Sequence, residues 1–193
     1  MFTEASPIWR CFFNAKKGEE MKKIPAKAIS YSPTKRNKKD VFYIAIHNTG
    51  NQGDTAEGNG NYFKNTNTRQ AGAHFFIDQQ GIKVKSIDLD RTAYAVGGSK
   101  YTDCDKTGGG KLYGKVTNAN SVSIELCDIV GKEPSDEMIR QTWNVIKYIR
   151  KYCPNAKTLV RHFDVNGKHC PQIMMTDEAW NKFQLRLLKA AIG

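Results

Sequence analysis

The sequence predicts an α/β fold, a central mixed β-sheet covered by helices. Three observations carry that prediction. Short runs rich in β-branched and aromatic residues read as strands, two longer segments repeat apolar residues at helical spacing, and glycine, asparagine and proline punctuate the chain between them.

The first forty residues differ from the rest. They carry "AKKGEEMKK" and "KRNKKD" with scattered apolar positions between, and we read residues 1–39 as a basic N-terminal arm and 40–193 as one domain. "MFTEASPIWRCFF" has acidic and polar residues where a secretory signal has a basic start and a continuous apolar stretch. The expected location is therefore cytoplasmic, without a signal peptide.

"VFYIAI" at 41–46 is a short apolar run that ends at His47 and the turn-forming "NTGNQGD", and it predicts a buried strand. A weaker helix starts at Asp54, with Glu57 three positions on as in a capping box. "GAHFFI", "IKVKSI", "TAYAV" and "SVSIEL" predict further strands, with Gln80-Gly81 as a tight turn between the first two, so the sheet is mixed or antiparallel. After Pro134, Ser135 caps a helix whose first turn carries Asp136 and Glu137, and Ile139, Trp143, Ile146 and Ile149 repeat along it until Pro154. "TLVRH" is a last short strand. A second helix begins near Thr176 and sets Trp180, Phe183, Leu187, Leu188 and Ala191 on one face. The tryptophans Trp143 and Trp180 are expected in the core.

An apolar share of 39% and an aromatic share of 10% are ordinary for a folded domain. No run approaches the roughly eighteen apolar residues of a spanning helix, so membrane insertion is not expected. The odd set Cys11, Cys104, Cys127, Cys153 and Cys170 has no repeated spacing, which favours reduced thiols over a disulfide framework. A formal net charge of +11 predicts attraction to a polyanion. No zinc-finger or recognition-helix pattern accompanies the lysines, so nucleic acid ranks last among the polyanions.

The densest chemistry lies in "RHFDVNGKHC", residues 161–170. His162 and Cys170 are too far apart to share a helical face, but a strand end followed by a loop through Gly167 can aim both at one point. Imidazole nitrogen and thiolate sulfur suit zinc, whose catalytic sites take three protein ligands and keep one place for water. His47, at the end of a buried strand, is the expected third ligand. His74 sits inside a strand and reads as a hydrogen-bonded core histidine. His169 rivals Cys170, but successive residues of an extended chain point oppositely, and the thiolate is the choice.

Four segments, "IAIHNTG", "AGAHFFID", "NANSVSIEL" and "RHFDVNGKHCP", occur in an order and approximate separation that resembles the zinc-dependent N-acetylmuramoyl-L-alanine amidases of phage endolysins, which are similar in fold to peptidoglycan recognition proteins. The likeness covers about residues 40–190. It implies Zn2+ held by His47, His162 and Cys170, a catalytic acid-base at Glu125 and an oxyanion-stabilising Lys168. Some relatives carry a catalytic tyrosine at the position of Ala73, which leaves proton transfer here to Glu125. The implied activity is hydrolysis of the amide between N-acetylmuramic acid and L-alanine by zinc-activated water, in a monomer kept in the cytoplasm until it is released to the wall. Implied partners are bacterial peptidoglycan and, through the basic charge, anionic wall polymers. The alternative is a muropeptide-recognition module without hydrolysis, as in relatives that lack the third ligand.

Overall fold

The computed structural model describes residues 20–192. Strands β1 (Met21–Lys23), β2 (Tyr31–Lys35) and β3 (Tyr43–Asn48) precede helix α1 (Ala56–Asn65). Strands β4 (Phe75–Ile77), β5 (Lys83–Lys85) and β6 (Arg91–Ala93) lead to the one-turn helix α2 (Cys104–Thr107). The chain then forms β7 (Ser121–Leu126), α3 (Asp136–Tyr152), β8 (Thr158–Arg161), α4 (His162–Asn166) and α5 (Asp177–Ile192).

Six strands form one sheet in the order β1-β5-β4-β7-β3-β8, and β2 and β6 form a separate antiparallel pair. The β4–β5 pair is antiparallel and the other neighbours are parallel, so the sheet is mixed. The β4–β5 turn is the one expected at Gln80-Gly81. Gly81 has φ 78, and a Cβ there would meet the Glu137 side chain, so both backbone and space require glycine.

The period of two along the strands sorts the side chains. Ile44 and Ile46 of β3 and Val122, Ile124 and Leu126 of β7 point to a core shared with Ile139, Ile146 and Ile149 of α3 and Trp180, Phe183 and Leu187 of α5. Burying each such side chain contributes about 1.5–3 kcal/mol. The alternate positions, Ala45 and His47 on β3 and Ser123 and Glu125 on β7, therefore stand on the opposite face. The apolar pattern that makes the core also delivers the chemistry to the other side.

Several expectations are refined. Ser135 caps α3 by accepting from Met138 N at 3.0 Å. The cap of α1 is Thr55, which accepts from Gly58 N, and not Asp54. Trp180 is buried and Trp143 half-buried against the same core. The arm expected over 1–39 is part of the fold in its described portion: β1 pairs with β5, and β2 pairs with β6. Isolated lysines hid these short edge strands, because an edge needs only one apolar side. Residues 1–19, including Cys11, lie outside the described residues. Cys104, Cys127, Cys153 and Cys170 are free and buried. Among the described residues no helix is long and apolar enough to cross a membrane.

Candidate metal centre

Parallel register brings the site together. His47 of β3 is the direct partner of Glu125 on β7, and Ile46 of β3 is the partner of Arg161 on β8. His162 is the residue after Arg161, so it leaves its strand at the level of His47. The side chains converge at the C-terminal ends of three neighbouring strands, where parallel sheets open into loops.

The segment after β8 is a turn of helix where a loop was expected. Asp164 accepts from Arg161 N at 2.8 Å and from the Arg161 guanidinium, which also reaches Asp177 and the carbonyls of Met174 and Met175. This capping arrangement makes α4 start at His162. Gly167, φ 90, ends it in the left-handed region, and the chain turns back so that Cys170 O accepts from Phe163 N at 2.8 Å. Cys170 Sγ then accepts from Asn48 N at 3.3 Å, beside His47.

One ligand atom from each of His47, His162 and Cys170 lies within 4.8 Å of the others, and all three residues are buried. The two imidazoles meet edge-on, ring centroids 4.6 Å apart. His47 Nε2 and both nitrogens of His162 have no hydrogen-bond partner. Buried polar atoms normally find one, because leaving one unpaired costs about 1–3 kcal/mol. Here nitrogens that lack partners face a sulfur, as a cation-binding set requires. Burial, helped by the positive Lys168, holds the His162 pKa down to about 3, and burial and His162 hold His47 well below 6.5, so both imidazoles are neutral and free to donate lone pairs. Burial, then the nearby Glu125, pushes the Cys170 thiol up to about 12; a divalent cation would supply the missing positive charge. The donor set fits zinc.

The other histidines stand apart. His74 is buried between strands, with Nδ1 3.0 Å from Ser123 Oγ and Nε2 3.1 Å from Arg91 O, as expected of a core histidine. His169 is exposed and faces Asp103 at 3.2 Å. Ala73 is buried against Phe76.

Glu125 Oε1 lies 3.9 Å from His47 Nδ1, and Oε2 is buried without a partner. Burial pushes its pKa up to about 7, against the downward pull of Lys168 and with Asp54 adding to the rise. Lys168 is exposed and lies between two hollows. One, about 720 Å³, is lined by Tyr94, Gly97, Lys100, Tyr101, Asn118 and His162. The other, about 460 Å³, is lined by Asn48, Thr49, Tyr62, Arg69 and Glu125. The glycine-rich stretch 97–120 borders the first hollow, as expected.

Two contributors were not singled out in the sequence. Asn48 follows His47 inside a run read as turn chemistry, yet its amide supports Cys170 and its Oδ1 accepts from Gln172 N at 3.1 Å. Asp54, read as a cap, accepts from Asp128 N at 2.6 Å and from Asn59 Nδ2 at 2.7 Å, fastening the loop after β3 to the loop after β7. Its position just beyond the "NTGNQG" turn is the only local signal.

The chain is also similar to known proteins of one family. A family profile described as N-acetylmuramoyl-L-alanine amidase matches residues 37–173. Two curated relatives come from Bacillus subtilis (strain 168). N-acetylmuramoyl-L-alanine amidase XlyB is 24% identical over 81% of this chain and 45% of its own length. N-acetylmuramoyl-L-alanine amidase CwlA is 26% identical over 72% of this chain and 46% of its own length. The chain thus spans about half the length of the curated relatives it matches. Among solved structures, that of PlyL superposes with TM-score 0.64 at 22% identity, covering 87% of this chain and 96% of that one. The catalytic domain of XlyA gives 0.63 at 21%, covering 87% and 99%. These structures share the fold.

Proposed function

The chain belongs to the N-acetylmuramoyl-L-alanine amidase family, and from that premise we propose that it hydrolyses the amide between N-acetylmuramic acid and L-alanine in peptidoglycan. The observation that carries the proposal is the convergence of His47, His162 and Cys170 beside the buried carboxyl of Glu125.

His47, His162 and Cys170 would hold zinc, which when bound lowers the pKa of a coordinated water from about 15.7 to about 7 and polarises a carbonyl oxygen. Glu125, with a pKa near the working pH, takes the proton from the attacking water. The Lys168 ammonium, at the junction of the two hollows, donates to the oxygen on which negative charge grows at the lactyl carbonyl. Glu125 then returns the proton to the leaving nitrogen of L-alanine. The C–N bond breaks, the lactyl group ends as a carboxylate and the stem peptide ends in a free amine. The two hollows on either side of Lys168 offer separate places for the glycan and peptide arms.

A muropeptide-binding module without hydrolysis would need neither Cys170 beside the two imidazoles nor a buried carboxyl next to them, and the hydrolytic reading gives each a use. The deciding experiment is digestion of purified walls with and without a chelator, with zinc per chain measured in parallel. New amino-terminal alanine that disappears with the metal supports the reading. Release of reducing sugar ends alone, or a fully active metal-free protein, overturns it.

A further inference from the structure

The pole of the domain opposite the metal centre carries a cluster of lysines that form no salt bridge with an acidic side chain among the described residues. It is built where β3 and β8 begin and α3 ends. Lys38 Nζ and Lys151 Nζ lie 5.7 and 5.5 Å from the centroid of the Tyr152 ring. Asn155 Nδ2 donates to Lys39 O at 2.8 Å, and Arg150 Nη2 donates to Lys157 O at 3.0 Å. These contacts tie residues 38–39, 150–152 and 155–157 into one patch. Lys38, Lys39, Lys151 and Lys157 are exposed.

The ion pairs among the described residues lie elsewhere, and include Lys35 with Asp90, Lys132 with Asp128, Arg161 with Asp164 and Asp177, and Lys182 and Arg186 with Glu133. Asp40 lies on the same turn as Lys38, and Asp90, which Lys35 holds at 2.9 Å, also lies in the field of Lys38. Like charges within a Debye length of about 8 Å repel without full screening, so a polyanion that bridges them is favoured, with release of its counterions.

We propose that this pole docks an anionic wall polymer, a chain of polyol or sugar phosphates attached to the same glycan that the catalytic cleft works on. The inference rests on the amidase reading, which places the protein against such a polymer. One feature favours it over nucleic acid. The pole sits at the strand ends remote from the cleft, roughly 15 Å away along β3, so polymer and stem peptide can be held at once. Simultaneous contact raises the effective concentration of substrate at the cleft.

The test compares the full chain with the triple variant Lys39→Gln, Lys151→Gln, Lys157→Gln and with a control of equal charge change between β1 and β2, on α1 and on α5, Lys27→Gln, Lys64→Gln, Lys189→Gln. Each is sedimented with walls bearing the phosphate polymer and with walls stripped of it, and each is assayed on a soluble muropeptide. The pole variant should lose at least about tenfold in affinity for polymer-bearing walls, with a flatter salt dependence. The control should change less than about twofold, and binding to stripped walls and muropeptide cleavage should be the same in all three. Equal losses in both triples, or no loss in the pole variant, overturn the proposal. So does duplex DNA that displaces the pole from purified polymer at a lower phosphate concentration than the polymer itself requires. If the unmodified chain leaves the muropeptide uncut, the amidase reading fails, while sedimentation still reports on the pole.

Discussion

His47 and Glu125 are direct partners across β3 and β7, and Nδ1 of the imidazole lies 3.9 Å from Oε1 of the carboxyl. That separation is too long for a hydrogen bond. The carboxyl therefore stands beside His47 without being hydrogen-bonded to it, and its Oε2 is buried without a partner.

Glu125→Gln keeps the shape and removes the base. Hydrolysis should fall by about 10²- to 10⁴-fold, with zinc content per chain unchanged. Release of amino-terminal alanine, measured beside metal analysis, checks this. A loss under tenfold would put the base elsewhere.

Lys168→Met keeps the length of the side chain and removes the ammonium. A single oxyanion donor is worth about 2.7–4 kcal/mol, so kcat should drop about 10²- to 10³-fold with a smaller change in KM. Steady-state rates on a soluble muropeptide distinguish this from a binding role, which would raise KM alone.

Cys170→Ser replaces a soft ligand by a hydroxyl that can still accept from Asn48 N. Zinc affinity should weaken by at least about 100-fold, beyond what loss of a supporting partner costs. Thermal unfolding gives an independent readout: zinc at about 100 times its Kd should stabilise the unmodified chain by about 2.7 kcal/mol, and the same zinc concentration should do far less for the variant.

Much of this was legible in the residues. The two amphipathic helices and the strand "SVSIEL" follow from periodicity, because each buries one broad apolar face. His47, His162 and Cys170 were readable because chemistry restricts which side chains can meet a cation. Lys168 and Glu125 became visible only through the family likeness, since a lysine on a basic chain and a strand-end carboxyl have no distinctive local pattern. The edge strands β1 and β2 escaped because their pairing is decided by β5 and β6, far along the chain. Asn48 escaped for a related reason: its role rests on a backbone amide, which composition cannot reveal.

Gly167→Ala should be among the more damaging single substitutions near the site. Residue 167 has φ 90, and an added Cβ would collide with Cys104 Sγ and press on Tyr101 Cβ at 3.2 Å. The left-handed backbone costs about 1–2 kcal/mol for alanine, and overpacking adds about 1–3. Urea unfolding should show a loss of about 2–5 kcal/mol, and because Gly167 turns the chain toward Cys170, zinc affinity should fall with it. A stable variant with full metal affinity would mean that the α2 loop yields without moving the ligand.

Stability of the metal-free protein should fall on acidification, and the sign follows from its buried imidazoles. Burial holds His74 and His162 at about 3 and His47 well below 6.5, whereas in the unfolded chain each titrates near 6.5. Between those values the unfolded chain binds protons that the folded one refuses, so stability present above pH 6.5 is lost as pH falls toward 3. Glu125 acts in the opposite sense: its folded value of about 7 exceeds the usual 4.5, so protonation over that window favours the folded state. Three imidazoles held neutral by burial outweigh the one raised carboxyl, so the net effect between pH 6.5 and 4.5 is a loss of stability. The urea midpoint of chelator-treated protein should therefore be lower at pH 4.5 than at pH 7. Glu125→Gln, which removes the opposing carboxyl, should steepen that fall; a midpoint equal at both pH values would show that the folded chain takes up these protons and that the histidines are not held neutral.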